Sequence, residues 1–238
     1  MLRPNFVRNQ IADLEILEAH IQHLIKAIPR DCSTTIDLQA LFFRLTMDSA
    51  TEFLFGESIN CLVENDSPSS LQNSEFAGAF ERSQHEISRR LRSGFLDTQP
   101  KQFKADVKFV HNFVDRFVRR GLKYREAYNL DREKVEAGLK GQGRYVFMNE
   151  LVKRVGDPIR IRTELLNIML AGRDTTASLL GNTWFVLARR PDIWNKLQQE
   201  VEELKGKMPT YEQIKNMKYL KAVFNECVFF QRRNPFCY

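Results

Sequence analysis

Between Asp157-Pro158 and Pro191 the chain runs without a single proline, and no other feature constrains its fold as much. Aspartate is a good helix N-cap, and proline suits the first helical position. The stretch therefore predicts one helix from Pro158 toward Arg190, about 32 residues or ~48 Å at 1.5 Å per residue. A helix this long and this apolar cannot stand alone, so the rest of the chain has to cover part of it.

The other segments read as helices too. Leu14, Leu17, Ile21, Leu24 and Ile28 make one stripe on a helix over 10–28 that Pro29 ends. "LQALFFRLTMDSATEFLFG" (38–56) is apolar on more than one side. Leu41, Leu45, Asp48, Glu52 and Phe55 share a face only loosely, so this reads as a buried helix closed by Gly56. Residues 63–74 read as a polar loop and 75–92 as a polar amphipathic helix. A long helix over 103–129 is carried by Phe103, Val107, Val110, Phe113, Val114, Phe117 and Val118. "EAGLKGQGRY" (136–145) is glycine-rich but lacks the Lys-Ser/Thr ending and the preceding strand of a phosphate loop, so it reads as a connector. Short helices are expected at 146–155, at 192–205 before Gly206, after a Thr210/Gln213 capping box, and at "YLKAVFNECVFF". No strand pattern, repeat or low-complexity tract interrupts this, and the expected fold class is all-α.

Composition narrows the function classes. The chain is 43% hydrophobic and 28% charged, with a formal net charge of +6. That balance is compatible with an anionic surface or an acidic partner, but an ordinary solvated exterior accounts for it and no nucleic-acid partner is expected. Cys32, Cys61, Cys227 and Cys237 form no CxxC pair and no zinc spacing. His20 and His23 sit three apart on one helix without a third ligand, so no metal site is expected. "MLRPNFVRNQ" has no signal-peptide core, and no apolar run reaches the length of a membrane span.

The chemistry concentrates in "LNIMLAGRDTTASLLGNTW" (166–184). An unpaired carboxylate inside a buried helix costs on the order of a few kcal/mol. Asp174 must therefore face water or have polar partners. On a helical wheel Ala171, Thr175, Ser178 and Asn182 share one side with Gly172 beside them, a mostly small-residue stripe against which a flat group could lie. Leu166, Met169, Ala177, Leu180 and Trp184 fall mainly on the other side and are expected to pack into protein. The polar turn is expected to face a cavity. Gly172 weakens this turn, and a Thr175 hydroxyl bonded back to Ala171 can bend it. Two readings follow: a proton-relay site, or a structural kink in which Asp174 pairs with Arg173 or a distant base.

"AGRDTT" resembles the (Ala/Gly)-Gly-x-(Asp/Glu)-Thr-(Thr/Ser) signature on the long central helix of cytochromes P-450, the haem-thiolate monooxygenases. "LARRPDIWNKLQQEVEEL" and "YLKAVFNE" follow it and look like that family's next helices, in order and at familiar spacing. "LFFRLTMDSATEFLFGES" and "LLNIMLAGRDTTASLL" look like the fungal branch that oxidises alkanes and fatty acids. The likeness spans residues 1–226, leaving 227–238 as a divergent tail. It implies that Ala171, Gly172 and Thr176 line the haem, that Thr175 passes protons there and that Asp174 relays them from outside. It also implies haem iron held by a cysteine thiolate, an NADPH-dependent reductase partner, an apolar small-molecule substrate and the endoplasmic reticulum membrane. The helices at 75–92 and 103–129 resemble the lids over the substrate pocket.

The resemblance has breaks. The family's Glu-x-x-Arg charge pair is represented by Glu226, but its fourth position is Phe229. The Phe-x-x-Gly-x-Arg-x-Cys-x-Gly loop does not occur. Cys237 lacks the glycines and lies too near Glu226 to stand in for it, and Cys227 reads as a packed thiol. The expectation is a partial helical domain without the β-rich lobe or the haem-cysteine loop, clipped at both ends and inactive as it stands. Such a chain, with no signal or anchor of its own, would be cytoplasmic and poorly soluble. The alternative is a non-enzymatic helical regulatory or binding protein, or the product of a decayed gene.

Overall fold

A computed structural model describes residues 14–31, 33–63, 68–93, 100–131 and 146–233. Among these the chain is helical throughout and contains no strand. The helices are α1 (Leu14–Ala27), α2 (Leu38–Phe55), α3 (Pro68–Ser93), α4 (Lys101–Leu130), α5 (Phe147–Arg154), α6 (Pro158–Leu187), α7 (Pro191–Glu202), α8 (Tyr211–Asn216) and α9 (Lys218–Arg233). The glycine-rich connector at 136–145 and Cys237 lie outside the described residues. No described helix is long and apolar enough to cross a membrane.

Described residues 47–171 form one compact unit, and 14–46 with 172–233 form another. In the first unit the core is built from the apolar faces of α3, α4 and α5 and from the residues of α2 and α6 that belong to it. Phenylalanines supply much of its volume. Phe76 stacks on Phe113 with ring centroids 4.0 Å apart, and Phe55 stacks on Phe117 at 4.3 Å. Ile161, Leu165 and Met169, spaced four apart on α6, are wholly buried in the same cluster. Where α4 meets α5, a Cβ added at Gly121 would stand 2.8 Å from Met148 Cγ and 3.0 Å from Val152 Cγ1. Only glycine allows that approach without displacement.

Several predicted boundaries agree with the structure. Gly56 closes α2 with φ of 79° and its N–H donating to the Glu52 carbonyl at 2.8 Å. Asp157 Oδ1 accepts from the Ile159 N–H at 3.0 Å, one residue beyond Pro158. Thr210 and Gln213 form the reciprocal capping box. Others differ: α6 ends at Leu187, short of Arg190, and α7 at Glu202, short of 205. Helix α3 begins at Pro68 inside the stretch read as polar loop. Proline needs no N–H in a first turn, and the polar side chains behind it sit on a solvated helix face. Two of them have partners: Gln72 Oε1 accepts from Arg116 Nη1 at 2.8 Å, and Asn73 Nδ2 donates to the Ile59 carbonyl at 3.1 Å.

The buried carboxylates of this unit, Asp48 and Asp106, are matched, whereas the buried Ser83 hydroxyl has no hydrogen-bond partner among the described residues. Asp48 has no solvent exposure, and its carboxylate accepts from the N–H groups of Cys61 (2.6 Å) and Leu62 (3.1 Å). One turn along, the buried Thr51 hydroxyl accepts from the Ile59 N–H at 3.2 Å. Together they fix the path of the chain after α2. Asp106, also buried, receives Arg82 through both Nε (3.0 Å) and Nη2 (2.7 Å), with Gln102 Nε2 adding a bond at 3.0 Å. The bonds from Arg82 hold the Asp106 carboxyl below its ordinary 3.8; burial opposes them and Gln102 assists.

The second unit has a smaller core of Leu187, Val223 and Cys227, with Trp194, Leu197 and Tyr219 packed against it. Cys227 is thus a packed thiol, as its helical position suggested. Glu200 on α7 caps α9: its carboxylate oxygens accept from the N–H groups of Tyr219 (2.9 Å) and Leu220 (2.8 Å). Trp184 is a correction to the wheel: it is 40% exposed. Its ring meets Trp194 at a tilt of 47°, 5.5 Å between centroids, rather than entering the core.

Asp48→Ala would leave two amides inside the protein unsatisfied. The expected cost is about 2–5 kcal/mol, with a smaller loss for Asp48→Asn, which keeps one acceptor; urea unfolding followed by circular dichroism measures both. Because the Asp106 pKa is depressed in the folded chain, its stabilisation is present above the unfolded value of 3.8 and disappears as pH falls through the folded value. The urea midpoint should therefore drop on acidification below about pH 4, and Asp106→Asn should flatten that drop while lowering the midpoint at pH 7.

Candidate functional site

Helix α6 keeps α-helical hydrogen bonding from Pro158 to Leu187, with no 3₁₀ or π segment at Gly172–Thr176. The turn in question is therefore an intact helical turn. Its polarity is partitioned by the helix itself. Ala171, Gly172, Thr175 and Thr176 are exposed, a contiguous strip of small side chains along one face. A Cβ built on Gly172 meets no atom within 4 Å. On other faces Met169 and Ala177 are fully buried, whereas Leu166 and Leu180 are half-buried.

The two charges of the signature find each other. Arg173 Nη1 donates to Asp174 Oδ1 at 2.8 Å, with the arginine side chain 6% exposed and the carboxylate 38% exposed. The Arg173 guanidinium lies 4.5 Å from the ring centroid of Phe43. The buried cation is thus held by a carboxylate on one side and an aromatic face on the other. This is the pairing that the structural reading of the turn required. It leaves Asp174 half-exposed beside an exposed Thr175 hydroxyl, so the arrangement retains the groups of the relay reading too. The role of Phe43 escaped the sequence reading. "LFFR" signalled burial there, and only the fold places one of its rings under Arg173.

The strip is open to solvent in this chain, where the sequence suggested a cavity: no described residue covers it. Its shape fits one face of a planar macrocycle, because Ala171 and Gly172 add almost no relief and nothing stands above Gly172. The residues present therefore suit a haem on that side. A thiolate on the iron is a separate requirement. Of the described cysteines, Cys61 is partly buried against the core of the first unit and Cys227 is buried in the core of the second.

The remaining candidates are not gathered at this turn. Glu226 is exposed on α9 and no described residue pairs with it. Helix α9 continues unbroken through that position to Arg233. His20 is buried on α1, its ring centroid 6.4 Å from that of His23. No cluster of metal-ligating side chains occurs among the described residues.

Comparison with known proteins agrees with this layout. The Cytochrome P450 family matches residues 1–233. The chain is 41% identical over 240 residues to cytochrome P450 monooxygenase fsdH of Fusarium heterosporum, covering 96% of this chain and 41% of that protein. It is 45% identical over 240 residues to cytochrome P450 52A3-A of Candida maltosa, covering 95% of this chain and 44% of that one. The haem domain of cytochrome P450DA superposes with a TM-score of 0.71 at 18% identity, over 95% of this chain and 47% of that structure. The chain thus spans less than half the length of each of these proteins. The match over nearly all of its residues, together with the signature on α6, places this chain in the cytochrome P450 family of haem-thiolate monooxygenases.

Proposed function

We propose that these residues form the oxygen-side helical part of a monooxygenase that hydroxylates long-chain alkanes or fatty acids, using haem, dioxygen and electrons from an NADPH-dependent reductase. The observation that carries the reading is the bare Ala171–Gly172–Thr175–Thr176 strip with a tethered carboxylate beside it. When bound, a haem with a cysteine thiolate ligand supplies electron density that favours O–O cleavage. The chain's own residues supply the rest. Ala171 and Gly172 let a flat group approach the helix. Thr175 holds a proton on its hydroxyl, directly on the strip. Asp174 is fixed through Oδ1 by Arg173, while its side chain stays 38% exposed to solvent. It can therefore take up a proton from solvent and pass it toward the Thr175 hydroxyl. Arg173 is a positioning residue in this scheme: stacked on Phe43, it holds the carboxylate in one rotamer.

The substrate class is supported by the likeness of the 41–58 and 165–180 stretches to the alkane- and fatty-acid-oxidising branch. Attachment to the endoplasmic reticulum membrane belongs to the same proposal and rests on that likeness alone.

Two outcomes test this. In the enzyme carrying the complete haem domain, Thr175→Ala should lower hydroxylated product per dioxygen consumed by at least about tenfold, with Thr175→Ser close to the unmodified protein. Equal coupling in all three proteins would remove Thr175 from the chemistry. For the 238 residues alone, the packed positions of Cys61 and Cys227 predict no thiolate-type Soret band when the haem-supplemented chain is reduced under carbon monoxide. Such a band would show that one of this chain's cysteines ligates the iron.

A further inference from the structure

A shallow surface groove of about 450 Å³ opens between α4 and the start of α6, and its lining includes Phe103, Lys104, Val107, Lys108, His111 and Arg162. The volume lies within the range of small-molecule sites. Its charge is one-sided. Neither Lys104 nor Lys108 forms an ion pair with a described residue, and both are exposed one helical turn apart. Arg162 bonds Asp115 through Nη1 at 2.7 Å, which leaves Nε and Nη2 without a described partner. Asp115 neutralises one of the three cations, so the site keeps an excess of two positive charges.

His111 adds a ring that is mostly neutral at pH 7. Burial, and then the Arg162 guanidinium, lower its pKa, while Asp115 opposes them. Phe103 and Val107 alternate with the lysines along α4 and bring half-buried apolar surface to the same opening.

We propose that this groove binds the head of an anionic amphiphile, a medium- or long-chain carboxylate, with Lys104, Lys108 and Arg162 taking the carboxylate and Phe103 with Val107 meeting the first part of its chain. A bare inorganic anion would leave the apolar walls unused, and a neutral alcohol would leave two cations unmatched. The proposal rests on the monooxygenase reading for its ligand class and deepens it; a binding measurement that involves no turnover keeps its failure separate from failure of the Thr175 chemistry.

The test is equilibrium dialysis of the full 238-residue chain against labelled decanoate, decanol and inorganic phosphate. Decanoate should bind with a Kd of about 1 mM or tighter, and decanol and phosphate each at least tenfold more weakly. The doubly exchanged Lys104→Glu/Lys108→Glu chain should lose at least tenfold in decanoate affinity, while Lys104→Arg/Lys108→Arg should retain it. Both changes are at exposed positions, and unchanged far-UV circular dichroism certifies the fold. Equal binding of decanol, equal binding of phosphate, or undiminished decanoate binding by the glutamate chain would each overturn the proposal. Decanoate bound equally well by the glutamate chain would locate it on another apolar surface.

Discussion

The exposed turn of helix α6 can stay bare because the side across from it is buried: Arg173 is only 5% exposed and Ala177 not at all. A helix so fixed tolerates a glycine, two threonines and an aspartate in mid-course, each of which weakens an isolated helix. Packing on one side thus frees the other side from any structural requirement. Chemistry that needs small side chains and polar groups close to a backbone can be placed there without loss of the helix.

The same separation explains the state of the charges in the signature. A guanidinium at position 173 is carried inward by helical geometry and has to be matched there. Phe43 supplies a face for it and Asp174 a counter-charge. The carboxylate is thereby stationed at the edge of the strip, neither buried with the arginine nor free in solvent. Of the structural reading, the ion pair is present and the kink is not, since the helix runs unbroken through this turn.

Local signals are legible in the amino-acid order itself. The Asp157-Pro158 start, the Gly56 stop, the Thr210/Gln213 box and the long apolar spacing of α4 and α6 are set by neighbours within one or two turns, and each is present in the fold. What the order of residues does not reveal is long-range. Asp48 serves amides at 61 and 62, Glu200 serves the start of α9 at 219 and 220, and Phe43 supports Arg173. In a one-dimensional text Asp48 and Glu200 look like ordinary helix-surface acids. Trp184 misleads for the mirror-image reason: its apolarity suggests burial, but its ring is large enough to serve as a partner for Trp194 while remaining half in water.

The segment after α2 shows what such anchoring implies for the protein's history. Asp48 and Thr51 grip Ile59, Cys61 and Leu62 by their main-chain N–H groups. Every residue except proline offers that handle. The anchor therefore constrains the loop's route and is indifferent to side-chain identity as far as the grip is concerned. Exposed positions between 57 and 63 can therefore change while the backbone stays in register, whereas the buried Ile59 and Leu62, the left-handed Asn60 and the two polar residues on the helix are held in place.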